Sequence, residues 1–129
     1  MKFSKYVFLI SGIYGVLALV PLYFLENNPQ FVKPPAVTHP EFYYGFIGVG
    51  FAWQVAFFII SRDPVRYRIM MIPSILEKLS FCIALFYLIA IHRTNPSMML
   101  AGIADLLMAI LFGVSYFRTI KAAKNTVGT

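Results

Sequence analysis

Four long apolar stretches occupy most of this chain, and only short polar connectors separate them. They run over residues 6–25, 42–60, 69–91 and 97–117. Each approaches the ~20 residues that an α-helix needs to cross ~30 Å of hydrocarbon. The connectors are too short to form a soluble domain of their own. The pattern therefore predicts a single integral membrane domain over residues 1–129, an all-α bundle of four transmembrane helices running up-down-up-down.

The composition also favours a membrane protein. Hydrophobic residues make up 60% of the chain and charged residues only 12%. A soluble domain typically holds about 45–50% apolar residues and about 25% charged ones. The length is sufficient for one compact unit.

Basic residues are distributed unevenly between the two sides of the predicted membrane. Most of them lie near the two termini or in the connector 61–68, whereas the connectors 26–41 and 92–96 carry only Lys33 and Arg93. Short cytoplasmic connectors are enriched in Lys and Arg, so both termini and the connector 61–68 are expected in the cytoplasm. These bases are expected to contact anionic membrane lipids, with no nucleic acid as partner.

Proline and small residues suggest how the spans begin and pack. Two starts are open for the third span, a kinked helix from Pro64 or a short interfacial helix followed by a span from Pro73. The proline-rich connector 26–41 predicts an extended strap. A small-residue stripe on the second span is open to two interpretations, packing within the bundle or a homo-oligomer seam. It consists of Gly48, Ala52 and Ala56.

A polar layer is predicted near the middle of the membrane. At about 1.5 Å of rise per residue, Asp105 lies about 12 Å inside the outer boundary. The same count places Trp53 and Gln54 on the second span, Ser80 slightly inward on the third, and Tyr14 on the first at this depth. Charged groups in hydrocarbon are costly, so each requires an explanation.

Asp105 is expected to point into the bundle, because small residues mark the packed side of a membrane helix. The other residues on its face, spaced by fours, are Ala101, Ala109 and Gly113. A carboxyl group buried without a cation is expected to be protonated, and Asp105 would then donate a hydrogen bond to Gln54 or Tyr14. Its role is open between a structural hydrogen bond and a ligand or proton site.

A second polar group is predicted on the cytoplasmic side. By the same count Glu77 lies about 9 Å nearer the cytoplasm than Asp105, so no direct contact between this group and Asp105 is expected. The lysine of the group would extend toward the cytoplasmic interface. Glu77 would complete a capping box with Ser74 or pair with an arginine. The group consists of Glu77, Lys78, Arg66 and Arg68.

The sequence shows no catalytic or cofactor-binding signature. It contains no nucleophile elbow, phosphate loop, CxxC, CxxCH or HExxH pattern. His39, Glu41 and His92 carry metal-ligating groups but lack the tight spacing of a metal site. No metal and no cofactor are therefore predicted, and an enzyme is the less favoured class.

The middle half of the chain resembles a pattern found in small bacterial membrane proteins whose architecture is similar to the DoxX-like four-helix group. The resemblance implies a four-helix membrane fold and a bacterial inner-membrane location, and it implies no activity. The residues that carry it are Phe42, Tyr43, Tyr44, Gly45, Phe46, Trp53, Gln54, Ser61, Arg62, Asp63, Pro64, Arg66, Arg68, Pro73, Glu77 and Lys78.

Three function classes follow from the polar layer. The first is a protein that holds a lipid-like or quinone-like molecule, with aromatic residues around its apolar part and Asp105 or Gln54 at its polar head. The second is an accessory or structural subunit of a larger membrane complex. The third is a membrane-embedded lipid-modifying enzyme or proton-coupled transporter that uses Asp105 as its acid. The predicted ligand site consists of Asp105, Gln54, Trp53, Ser80 and Tyr14.

Overall fold

The computed structural model describes residues 2–28 and 38–128. The four long helices in these ranges are α1 (Lys2–Leu19), α2 (Pro40–Arg62), α3 (Met71–Ala90) and α4 (Met99–Val127). Short 3₁₀ segments extend α1, α3 and α4, at Val20–Phe24, Arg68–Met70 and Pro96–Met98. Each of the four is long and apolar enough to cross a membrane. The predicted all-α bundle of four membrane-length helices is confirmed, and these helices support an integral, multi-pass membrane protein.

Most of the predicted strap falls on residues 29–37, which lie outside the described residues.

The helices run up-down-up-down, with residues 2 and 128 at the same end of the bundle. α1 packs along α2, α3 packs along α4, and α1 also contacts α4. The Arg118 guanidinium lies 4.6 Å from the ring centroid of Phe3, so the start of α1 meets the second half of α4. The backbones of α2 and α3 approach each other at few points. One side of the bundle is therefore less tightly closed than the others.

Glycines bring α1 and α2 close together. A methyl group at Gly12 would meet the ring of Phe58, and one at Gly15 would overlap the side chain of Gln54. Large side chains of α2 thus occupy the space that the glycines of α1 leave open. Of the predicted small-residue stripe, Ala52 is exposed on the outside of the bundle, whereas Gly48 and Ala56 are half-buried.

An aromatic cluster fills the half of the bundle nearer the termini. The rings of Phe8 and Phe112 stack with centroids 4.2 Å apart, and Phe57 meets Phe112 edge-on at 5.0 Å. None of the three is exposed. Such tight packing stabilises the bundle by dispersion, which in a membrane replaces much of the hydrophobic driving force.

The third helix begins at Met71, which differs from both sequence-based alternatives. Asp63 accepts a hydrogen bond from the backbone N–H of Arg66 at 3.2 Å, and this closes a turn. A continuous kinked helix from Pro64 is therefore wrong. Pro73 falls in the first turn of α3, where its missing N–H has no helical partner to lose.

The fourth helix continues ten residues past the apolar stretch, ending at Val127 rather than at residue 117. Hydropathy marks the part of a helix that fits the membrane, not the point where the helix stops. Alanine and lysine, which are strong helix formers, continue α4 into the polar region.

Candidate functional site

Three charged side chains meet inside the bundle, and we refer to Glu77, Lys78 and Asp105 as the charged trio. Lys78 Nζ lies 3.6 Å from Asp105 Oδ1 and 3.6 Å from Glu77 Oε2. The exposed fraction is 5% for the Lys78 side chain, 13% for Asp105 and 22% for Glu77. Ionisable groups placed this deeply among membrane helices are expensive and tend to mark functional sites.

The expectation that Lys78 avoids Asp105 is wrong. The residue count predicts an axial offset of about 7.5 Å between the two backbones, at about 1.5 Å of rise per residue. The flexible four-carbon stem of lysine spans this offset. The ammonium also lies 5.4 Å from the ring centroid of Phe57, within cation–π range. Lys78 therefore extends into the bundle rather than toward the nearer membrane interface.

The other expectations for the second polar group are also wrong. Ser74 Oγ donates to the carbonyl of Met70 at 2.6 Å, so it forms no capping box with Glu77. Arg66 and Arg68 make their hydrogen bonds within the connector that precedes α3. Glu77 pairs instead with its neighbouring lysine, and the helix begins at Met71, three residues before the Ser74 of the capping pattern.

A cavity of about 180 Å³ opens beside the charged trio. All four helices contribute to its wall, and its volume suits a few waters or a small polar head. The cavity brings together three of the residues that the depth count placed at one level, Tyr14, Gln54 and Asp105. The residues of the wall used below are Tyr14, Gly15, Phe46, Gln54, Glu77, Lys78, Phe81, Ala101 and Asp105.

Gln54 has an unused hydrogen-bond acceptor in this wall. Its side chain is almost fully buried, and Nε2 donates to the carbonyl of Gly50 at 2.8 Å. Gln54 Oε1 accepts no hydrogen bond from residues 2–28 or 38–128. The predicted bond from Asp105 to Gln54 or Tyr14 is not formed, because Asp105 pairs with Lys78. A buried acceptor without a donor costs about 1–3 kcal/mol, so this oxygen requires an explanation.

A cleft of about 550 Å³ lies between α2 and α3, where the two backbones separate. Trp53 and Ser80 line this cleft, whereas Tyr14, Gln54 and Asp105 line the cavity. The predicted ligand residues are thus divided between two adjacent spaces. The walls of the cleft are mostly apolar, as expected of a surface that meets lipid.

One aromatic contact lies where the cavity meets the cleft. The rings of Phe46 and Phe81 stack with centroids 5.9 Å apart. Both residues line both spaces, and so does Glu77. Sequence reasoning missed Phe46 and Phe81, because an aromatic residue in a membrane span normally indicates only packing or lipid contact. The cavity and the cleft are therefore neighbours that share a carboxylate and an aromatic pair.

His39 and His92 do not form a comparable site. His39 Nδ1 lies 3.3 Å from Glu41 Oε1 on the surface. His92 has a positive φ of 59° in the turn after α3. No group of three His, Cys, Asp or Glu residues that could hold a metal occurs in the described part of the chain.

Chemically, the site combines a buried cation, two carboxylates and a free amide oxygen with an adjoining apolar cleft. This combination can bind the polar head of a molecule and leave its apolar part among the helices. No protein-family model, curated protein or solved structure matches this chain.

Proposed function

We propose that this protein binds a small amphipathic molecule, lipid-like or quinone-like, inside the membrane. The polar head occupies the cavity beside Asp105 and Gln54, and the apolar tail lies along Trp53 in the cleft between α2 and α3. The observation that carries the proposal is the position of the charged trio, in the wall of a cavity that adjoins an apolar cleft.

A purely structural role explains this arrangement less well. Apolar residues of similar volume often stabilise a protein as well as a buried ion pair does, so packing alone does not require three charges. A structural role also does not explain why Gln54 Oε1 accepts no hydrogen bond from the described residues, or why a cavity lies beside it. A bound polar head accounts for both.

The distribution of basic residues and the DoxX-like resemblance support a location for this site. Both termini and the connector 61–68 lie in the cytoplasm of a bacterial cell, and the protein resides in the inner membrane. The cleft then faces the outer half of the bilayer. A ligand reaches the site from the lipid phase without crossing the membrane.

An assembly role is the second candidate, and one observation favours it. Ala52 of the small-residue stripe is exposed on the outside of the bundle, where such a stripe permits close approach of another helix. The partner would be a second copy of this chain or another membrane subunit. This role is compatible with ligand binding, because the stripe and the cavity involve different residues.

Native mass spectrometry of the gently purified protein tests the proposal. The wild type is compared with Asp105→Asn, which changes the charged trio, and with Ala101→Leu, which fills part of the cavity. Ala52→Leu adds the same bulk on the outer surface and serves as the matched control.

We expect a small-molecule adduct on the wild type and on Ala52→Leu, and its loss from Ala101→Leu. A bare wild-type mass together with a second protein subunit would replace the proposal with the assembly role. An adduct that persists in Ala101→Leu would place the ligand elsewhere.

A further inference from the structure

We infer that the head of the bound molecule is a cationic hydrogen-bond donor, an ammonium group on an apolar chain. This inference rests on the proposed function and specifies which amphipathic molecules the cavity selects. It is carried by the charge balance of the trio and by two acceptor atoms that receive no hydrogen bond from residues 2–28 and 38–128.

The charge balance of the trio favours a cationic ligand. One ammonium faces two carboxylates, so the trio becomes neutral only when one carboxylate binds a proton or a second cation. Burying an unpaired charge is far more costly than burying a neutral pair. A ligand with a single positive charge would neutralise the site, whereas a carboxylate or phosphate head would add to the excess.

Glu77 is the more exposed of the two carboxylates and the one that a ligand head would meet first. Lys78 and Asp105 are the two less exposed members of the trio and lie on facing helices. Glu77 Oε2 is 3.6 Å from Lys78 Nζ and forms no hydrogen bond within the described ranges. Glu77 also lines both the cavity and the cleft. A head that passes from the cleft into the cavity therefore meets this carboxylate.

Gln54 provides a second acceptor in the same cavity. Its Oε1 is buried and accepts no hydrogen bond from the described residues, and it approaches α1 beside Gly15. A primary ammonium carries three N–H donors, enough for both acceptors. A quinone head carries hydrogen-bond acceptors only. It would donate no hydrogen bond to Glu77 or Gln54, and it would have to compete with Asp105 for the Lys78 ammonium.

The cleft is suited to the chain that such an amine would carry. Phe46 and Phe81 stand where the cavity ends, and Trp53 lines the cleft beyond them. An alkyl chain that extends outward from Glu77 would contact these aromatic faces and then membrane lipid. The ammonium would thus be withdrawn from lipid while its tail stays in an apolar environment.

Three probes of equal chain length test the head group, namely tetradecylamine, tetradecanol and tetradecanoic acid. Each is titrated into the detergent-purified wild type, and binding is measured by native mass spectrometry and by the rise in Tm. We expect tetradecylamine to bind at least about tenfold more tightly than tetradecanol, because charge-assisted hydrogen bonds are roughly twice as strong as neutral ones. Tetradecanoic acid should bind most weakly.

The variant Glu77→Gln should reduce the preference for the amine over the alcohol to within about twofold, because the free negative charge is lost. Asp63→Asn removes an exposed carboxylate far from the cavity and should leave the preference unchanged. Equal or tighter binding of the alcohol or the acid by the wild type would overturn the cationic head and leave the proposed function intact. If none of the three probes binds saturably, both the cationic head and the proposed function are overturned. These tests use the wild type, so they remain decisive even if Glu77→Gln fails to fold.

Discussion

Lys78 of α3 reaches Asp105 of α4, with Nζ and Oδ1 3.6 Å apart in the interior of the bundle. The same ammonium lies 3.6 Å from Glu77 of its own helix. One cation therefore holds two carboxylates, and the three groups are interdependent. Removing the cation should have a different effect from removing either acid.

We expect Lys78→Met to destabilise the protein far more than Asp105→Asn. The first change leaves Asp105 and Glu77 buried without a cation, and breaking a buried pair in this way costs about 3–5 kcal/mol. The second change leaves Lys78 paired with Glu77. The free energy of unfolding in mixed micelles of increasing SDS content is the appropriate measurement.

The double variant provides the control for this comparison. Because the two residues contact each other, the cost of Lys78→Met with Asp105→Asn should be smaller than the sum of the single costs by about 0.5–3 kcal/mol. If the cost of the double variant equals the sum of the two single costs, the contact between Lys78 and Asp105 contributes little to stability.

Gly15→Ala should destabilise the α1–α2 seam. The added methyl group would overlap the Gln54 side chain and displace the amide from its hydrogen bond to Gly50. Overpacking of this kind costs about 1–3 kcal/mol, visible as a lower Tm. Gly45→Ala is the matched control in α2, since a methyl group there meets nothing within 4 Å. A Tm that falls equally in both variants would show that helix packing at Gly15 is not the cause.

Phe112→Ala should disrupt the aromatic cluster. Phe112 stacks on Phe8 and meets Phe57 edge-on, so truncation leaves a void where dispersion contacts were. Large-to-small changes of this type cost about 3–5 kcal/mol. Phe117→Ala, five residues further along α4 at a side chain that is 72% exposed, should have little effect on SDS unfolding. Similar unfolding free energies for the two variants would contradict the assigned core.

The proposed orientation predicts which side of the membrane each end faces. In a Cys82→Ser background, a cysteine at Asn125 should react with an impermeant maleimide only in inside-out vesicles. A cysteine at His39 should react only in right-side-out cells. The basic residues near the termini and in the connector 61–68 set this orientation. The reverse labelling pattern would show that the membrane orientation is inverted.

The helices were predictable because hydropathy is a local property of the sequence, and a count by helical rise grouped Tyr14, Gln54 and Asp105, which line one cavity. The glycine contacts of α1 with α2 and the inward position of Asp105 follow from the preference of membrane helices for small residues at packed faces. The path of Lys78 was not predictable in this way, because backbone counting ignores the reach of a long side chain. The Lys78 side chain points inward because its partners, the Phe57 ring of α2 and the Asp105 carboxylate of α4, lie inside the bundle.

The cleft between α2 and α3 could not be predicted from the sequence either. Small-residue spacing indicates that a helix packs closely but not which neighbour it contacts, and Ala52 of the predicted stripe is exposed. The separation of α2 from α3 depends on how all four helices fit together. Phe46 and Phe81 acquire their position at the site only through that arrangement.

Fluorescence of Trp53 tests the central claim most directly, because Trp53 is the one tryptophan in the chain and it lines the cleft. The detergent-purified protein is titrated with tetradecylamine and tetradecanol that each carry two bromine atoms in mid-chain, which quench tryptophan on contact. A ligand site predicts saturable quenching in the wild type and in Ala52→Leu, and at least about tenfold weaker binding, or about 1.4 kcal/mol, in Ala101→Leu. Quenching that rises linearly without saturation, or is identical in Ala101→Leu, would contradict a ligand site in this bundle.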